Sequence, residues 1–182
     1  MDAFLEGLAG DELRKISCLP KPARWADFSA KHRLAWQHTR FERANHSAIP
    51  AQPGFYCFVV GLLGPALPPI GYPLYVGKTE RTLHKRFGEY LREQESARGR
   101  ARVRKFIKVF EGELLFFFAH FYGTPQEVKD VEMELHDALM PAYSDIGFSA
   151  EVRAARSAFQ RKIRYSSHPS RVLWVVGYIT PL

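Results

Sequence analysis

The chain has 182 residues, enough for one domain with a substantial core. Its 46% hydrophobic and 14% aromatic contents are globular values. The longest apolar run, Leu114 to Phe121, is too short to span a membrane and already contains His120. The net charge of +7 comes mainly from two blocks, ten Lys or Arg against three Glu between Arg81 and Lys108, and six against one between Glu151 and Arg171. Basic charge concentrated in this way points to an acidic partner, nucleic acid first, with a merely soluble basic surface as the plain alternative. Two cysteines, Cys18 and Cys57, form neither a disulfide framework nor a metal-ligand spacing. The first residues, Met1 to Glu6, lack the basic and apolar blocks of a secretion signal, so a reduced, cytoplasmic protein without membrane association is expected.

In chain order, Asp2 to Ile16 has helical periodicity, Pro20 and Pro22 break it, and Ser29 to Asn45 resumes it with Leu34, Trp36 and Phe41. Pro50, Pro53 and Gly54 mark a boundary. Phe55 to Val60 and Leu74 to Val76 are short β-rich runs, and the segment between them, Gly61 to Pro73, holds four prolines and three glycines and reads as a loop. A helix is expected from Thr82 to about Glu93. A basic stretch, Arg98 to Arg104, leads into another that ends near Gly112. Leu114 to Phe121 is apolar throughout and should be the centre of a sheet. Thr124, Pro125 and Glu127 spell a capping box with Pro in the first turn, opening a helix to about Met140. A basic helix, Ala150 to Arg164, and a final strand, Val172 to Ile179, complete the chain.

These elements predict an α+β fold. A small antiparallel sheet of about three strands is flanked by helices, with a helical N-terminal extension (1–50), a core (51–147) and an α/β C-terminal extension packed on that core (148–182).

Gly77-Lys78-Thr79 has the letters of a phosphate-binding loop, but such a loop needs four residues between its glycines. Here five residues separate Gly71 from Gly77, and they are apolar and strand-like. The spacing excludes that reading.

Two charges stand where apolar residues are expected. On the helix from Thr82, Leu83, Phe87, Tyr90 and Leu91 form the core-facing stripe, with Arg86 at its edge and Lys85 opposite. On the helix from Gln126, Glu132 lies within the stripe of Val128, Val131, Leu135, Ala138 and Leu139, whereas Glu134 projects to solvent. A charge beside a buried face needs a partner. Arg86 and Glu132 could satisfy each other, or Glu132 could belong to a metal or catalytic site.

Gly54-Phe55-Tyr56, Tyr75-Val76-Gly77, Arg86, Tyr90 and Glu132, followed by Leu135, Pro141 and Tyr143, stand in an order that resembles the GIY-YIG nuclease superfamily. The stretch from Tyr75 to Tyr90, with Lys78 after the second tripeptide, is most similar to the branch holding the incision nuclease of bacterial excision repair. The resemblance covers roughly residues 53 to 146. Its departures are a longer, Pro-rich inter-strand segment, one extra residue between Gly77 and Arg86, and Ser144 where Asn is usual.

The resemblance implies a metal-dependent endonuclease acting on DNA, most naturally double-stranded. Glu132 would bind Mg²⁺ or Mn²⁺, Arg86 would contact the scissile phosphate, and Tyr75 would be the general base, with Tyr56 and Tyr90 orienting water or phosphate. An ordinary phenol, with a pKa near 10, is a poor base at neutral pH, so Lys78, Arg86 and the metal are the charges expected to assist it. Strand alternation should turn Tyr75 away from Leu74, Val76 and the core.

Arg98, Arg100, Arg102, Arg104, Lys105 and Lys108 are candidate contacts to the nucleic-acid backbone, or else a solvated helix face. Arg153, Arg156, Arg161, Lys162 and Arg164 form a second such surface, while His120 and His136 are read as structural. The competing expectations are a catalytically silent nucleic-acid-binding module of the same fold, and an interaction protein holding a buried Arg86–Glu132 pair.

Overall fold

The computed structural model describes residues 22–64, 67–95, 100–144, 149–150 and 152–153. The expected helix from Asp2 to Ile16, most of the basic C-terminal helix and the final strand lie outside the described residues. The elements are α1 (Pro22–His32), β1 (Gln37–Arg40), a 3₁₀ turn (Arg43–Ala48), β2 (Gly54–Gly64), β3 (Leu67–Thr79), α2 (Leu83–Glu95), α3 (Ala101–Val109), β4 (Leu114–His120) and α4 (Pro125–Leu139). Ala150, Val152 and Arg153 are helical, as the start of the expected basic helix requires.

The fold is α+β: one antiparallel sheet of four strands in the order β1-β4-β2-β3, with helices packed on it. The fourth strand is a correction. The helix expected from Ser29 to Asn45 ends at His32, where Arg33 takes a left-handed conformation with φ of 46°. Gln37 to Arg40 then pair with Phe118 to Leu115 on the open edge of β4. Residues before 50 therefore complete the sheet. Local periodicity loses here to the unpaired hydrogen-bonding groups of the apolar strand beside it.

The second correction is the segment from Gly61 to Pro73, expected as a loop: its described residues, 61–64 and 67–73, are strand, and β2 pairs antiparallel with β3 along them. Pro68, Pro69 and Pro73 are tolerated because β3 is an edge strand and they fall at the two register shifts of its pairing with β2, where the ladder is already interrupted. The outer edge of β3 is partly covered by the turn after α4. Ala142 N–H donates to Pro73 O (3.3 Å) and Tyr143 N–H to Leu74 O (2.7 Å).

The period-two alternation of β2 divides the core. Tyr56, Phe58 and Val60 join Phe87, Tyr90, Phe106 and Phe116 on the face covered by α2 and α3. Phe55 and Cys57 join Phe28, Val131, Leu135 and Ala138 on the face covered by α1 and α4. At its start α2 is held by Leu83 N–H and His84 N–H, which donate to Gln52 O (2.7 Å) and Pro50 O (3.0 Å). The predicted capping box at Thr124 is present, with Pro in the first turn of α4. Among the described residues, no helix is long and apolar enough to cross a membrane.

Candidate active site along the edge strand

Both glycines at the tripeptides are required by contact. Gly54 lies so close to β4 that a Cβ there would be 2.1 Å from the carbonyl oxygen of Ala119. Gly77 stands opposite Tyr56 in the β2–β3 register, and a Cβ there would be 2.5 Å from the Tyr56 hydroxyl. The Tyr56 ring thus lies over the bare backbone of Gly77 and reaches the Tyr90 hydroxyl at 2.7 Å. Both tyrosines are buried, at 2% and 0% exposure. Burial first, and then the neighbouring Tyr75, raises the Tyr56 hydroxyl well above the ordinary phenol value; the Tyr90 hydrogen bond, Arg86 and Arg100 only partly oppose this. Burial likewise raises Tyr90. Neither is a proton acceptor at neutral pH. Their hydroxyls, expected to face water or phosphate, bond each other beneath the surface.

Tyr75 is the half-buried phenol of the three. Its ring stacks on Phe106 (centroids 5.7 Å apart, planes at 22°) and lies 6.4 Å from those of Tyr56 and Tyr90. Leu74 joins the same cluster, because a register shift between Phe58 and Val59 interrupts the alternation. Tyr75 therefore leans onto the aromatic cluster instead of pointing away from the core.

Arg86 sits at the edge of the α2 stripe, as predicted, but it does not pair with Glu132. Its Nη1 donates to Glu89 Oε2 (2.7 Å), while the other Glu89 oxygen takes Arg81 Nη2 (2.6 Å). The Nε of Arg86 is buried and has no partner among the described residues. Arg86 is close enough to Tyr56 to oppose the rise of that phenol.

Glu132 is half-buried on α4, and its carboxylate makes no hydrogen bond or ion pair among the described residues. Burial raises its pKa; Lys78 opposes that rise and Glu80 adds to it. Lys78 was expected beside Tyr75. It lies three residues further along a regular stretch of strand, opposite Phe55, and so projects to the α4 face, where its Nζ meets Glu80 Oε1 at 3.1 Å. The edge strand thus separates two groups, the phenols with Arg86 on one face and Lys78 with Glu132 on the other. Ser144, at the position where Asn is usual in the resemblance, is buried, and its Oγ accepts from Val76 N–H at 3.4 Å.

Among the described residues, no group of three or more His, Cys, Asp or Glu side chains could hold a metal ion. A hard cation that keeps most of its waters needs only one or two carboxylates and substrate oxygens. Glu132, unpaired and disfavoured as a bare anion, fits that requirement, with Glu80 as the second carboxylate within its field.

Of the predicted backbone contacts, Lys105 and Lys108 are exposed on α3 and Arg104 is half-buried. Arg98 and the side chain of Arg102 lie outside the described residues, as do Arg156, Arg161, Lys162 and Arg164, while Arg153 is exposed. Arg100 is engaged within the chain: its guanidinium lies 4.8 Å above the Tyr90 ring and bonds Glu93 Oε1 at 2.7 Å. His120 is exposed and His136 is buried. Glu134, expected in solvent, bonds Lys31 (2.7 Å) and His32 (2.8 Å) and ties α4 to α1.

The sequence reading missed Glu80 and Glu89. Glu80 stands two residues after Lys78, the offset that puts two side chains on one strand face; Glu89 stands three after Arg86, the offset of a helical ion pair. No family model, no curated protein and no solved structure matches the chain.

Proposed function

We propose that this protein is a metal-dependent endonuclease of the GIY-YIG type, cutting phosphodiester bonds in DNA. The observation that carries the reading is Glu132, a half-buried carboxylate without a hydrogen bond or ion pair among the described residues, beside the edge strand that bears Tyr75. The contacts of Gly54 and Gly77 support it, since they give each tripeptide glycine a physical reason to be there.

The roles divide along the edge strand. Glu132, with Glu80 near it, would hold a Mg²⁺- or Mn²⁺-like ion. Once bound, such an ion supplies charge neutralisation at the phosphate and favours ionisation of water. Tyr75 would take a proton from attacking water, a role supported by its being the one phenol of the three that is not fully buried. Tyr56 and Tyr90 hold it from below and are positioning residues. Arg86 exchanges Glu89 for a phosphate oxygen, and its unpartnered Nε provides a second donor of the guanidinium fork. Lys78 keeps a positive charge beside Glu132. A cytoplasmic setting suits this reading and the free, buried thiol of Cys57.

The test is plasmid cleavage in Mg²⁺ or Mn²⁺ with wild type, Glu132→Gln and Arg86→Ala. Both substitutions should lower the cleavage rate by about 100-fold or more while duplex binding persists. Unchanged cleavage by Glu132→Gln overturns the proposal. Arg86 already has Glu89 as a partner, and this favours a second reading, a nucleic-acid-binding module that does not cut. Binding without cleavage in either metal selects it.

A further inference from the structure

A cavity of about 280 Å³ lies on the outer side of α2, away from the phenols. It is lined by His46 of the 3₁₀ turn and by Arg81, His84, Lys85, Glu89 and Arg92. Three permanent cations and two imidazoles thus face a single carboxylate, and that carboxylate is shared: Glu89 gives one oxygen to Arg81 and the other to Arg86. The cavity is built by packing. The rings of His46 and His84 stack at 4.0 Å with planes at 16°, and His46 Nε2 lies 3.0 Å from the His84 carbonyl oxygen. Gly88 makes room, since a Cβ there would be 2.9 Å from His46 Nε2. No side chain at 88 could be added without displacing the ring that walls the cavity.

We infer that this cavity is an anion site seating a backbone phosphate of the nucleic acid, one that neighbours the phosphate presented to Arg86. Arg81, Lys85 and Arg92 supply the charge, and Arg81 supplies a planar fork that suits phosphate oxygens. In the free protein, Glu89 occupies the inner donors of both Arg81 and Arg86, standing in for the phosphates on either side of it. A strand that fills the outer cavity competes for Arg81 as the scissile phosphate competes for Arg86, so both exchanges release the same carboxylate. The identity of the occupant rests on the nucleic-acid reading proposed above; the anion site does not.

Two measurements test it. First, duplex binding without divalent metal is followed across a salt series for wild type and for the double variant Lys85→Ala with Arg92→Ala, both positions being exposed on α2. Affinity should fall about tenfold or more, and the salt slope should become shallower by about one. Unaltered affinity and slope overturn the proposal. Second, the imidazole resonances of His46 and His84 are followed by NMR with the same duplex and with inorganic pyrophosphate. Both ligands should shift them. No shift with either overturns the anion site; a shift with pyrophosphate alone overturns the nucleic-acid occupant and leaves a free phosphate compound in its place. Loss of the nuclease reading alone appears differently, as absent cleavage with the duplex effects intact.

Discussion

On one face of the sheet, aromatic rings from β2, β3, β4, α2 and α3 close over one another, and the two deepest hydroxyls, of Tyr56 and Tyr90, satisfy each other. On the other face, α1 and α4 enclose a smaller aliphatic and aromatic cluster, and the carboxylate of Glu132 is left without a direct partner among the described residues. The two faces share the edge strand β3, whose outer edge is held by the turn after α4. The aromatic face fixes geometry and the α4 face keeps a charge available. The site proposed above would need both, a phenol held in place and a carboxylate left available, and β3 with its alternating sides lies between them.

The largest expected effect is on the close contacts that bring the strands together. Gly54→Ala puts a methyl against the Ala119 backbone, which cannot move aside without opening β2 from β4, and should cost about 3 kcal/mol or more in urea unfolding. Gly77→Ala presses on the walled-in Tyr56 ring and should cost about 1–3 kcal/mol. Wild-type unfolding midpoints in both variants mean that the aromatic face is looser than described.

Next comes the phenol pair. Tyr56→Phe and Tyr90→Phe each strand a buried hydroxyl, at about 1–3 kcal/mol. The double variant should cost less than the sum, by about 1 kcal/mol, because it leaves no orphan. Strict additivity in the cycle removes the pair.

On the α4 face the sign reverses. Glu132 has a raised pKa, so the native chain keeps this proton to higher pH than the unfolded chain does, and ionisation opposes folding. Stability associated with this group is present at low pH and is lost as pH rises from the ordinary carboxylate range through the raised value. Glu132→Gln should flatten that fall and modestly raise the unfolding midpoint at neutral pH. Millimolar Mg²⁺ should stabilise wild type and leave the variant unmoved. Destabilisation by Glu132→Gln would mean that the carboxylate serves the fold.

The smallest effect is at the start of α4, where Thr124→Ala removes an N-cap and should cost about 1 kcal/mol. The Thr124 backbone N–H, and then its hydroxyl, lower the pKa of Glu127. Its contribution is therefore present above the unfolded carboxylate value and is lost as pH falls through the lowered one. In the variant that acid-side loss should be reduced.

The elements read most easily were those specified by neighbours in sequence. Thr124, Pro125 and Glu127 cap α4 through atoms three residues apart, and the stripes of α2 and α4 follow from helical period alone. The misplaced charges at 86 and 132 were visible for the same reason. Strand β1 was not, because Gln37 to Arg40 become a strand only by pairing with β4, far along the chain. The prolines of β3 misled because their cost depends on whether the strand is an edge, which is a property of the sheet.

The sequence by itself determined where α2 and α4 begin, which of their apolar residues turn inward, and that Arg86 and Glu132 are charges beside buried stripes, since each depends on short-range geometry and period. Only the tertiary structure decided that Gln37 to Arg40 become a strand on β4 and that Tyr56 and Tyr90 close on each other. Those choices follow from strand pairing and from the packing of α2 on the sheet. Both are set by contacts between residues that are remote in the chain and meet only once the sheet exists.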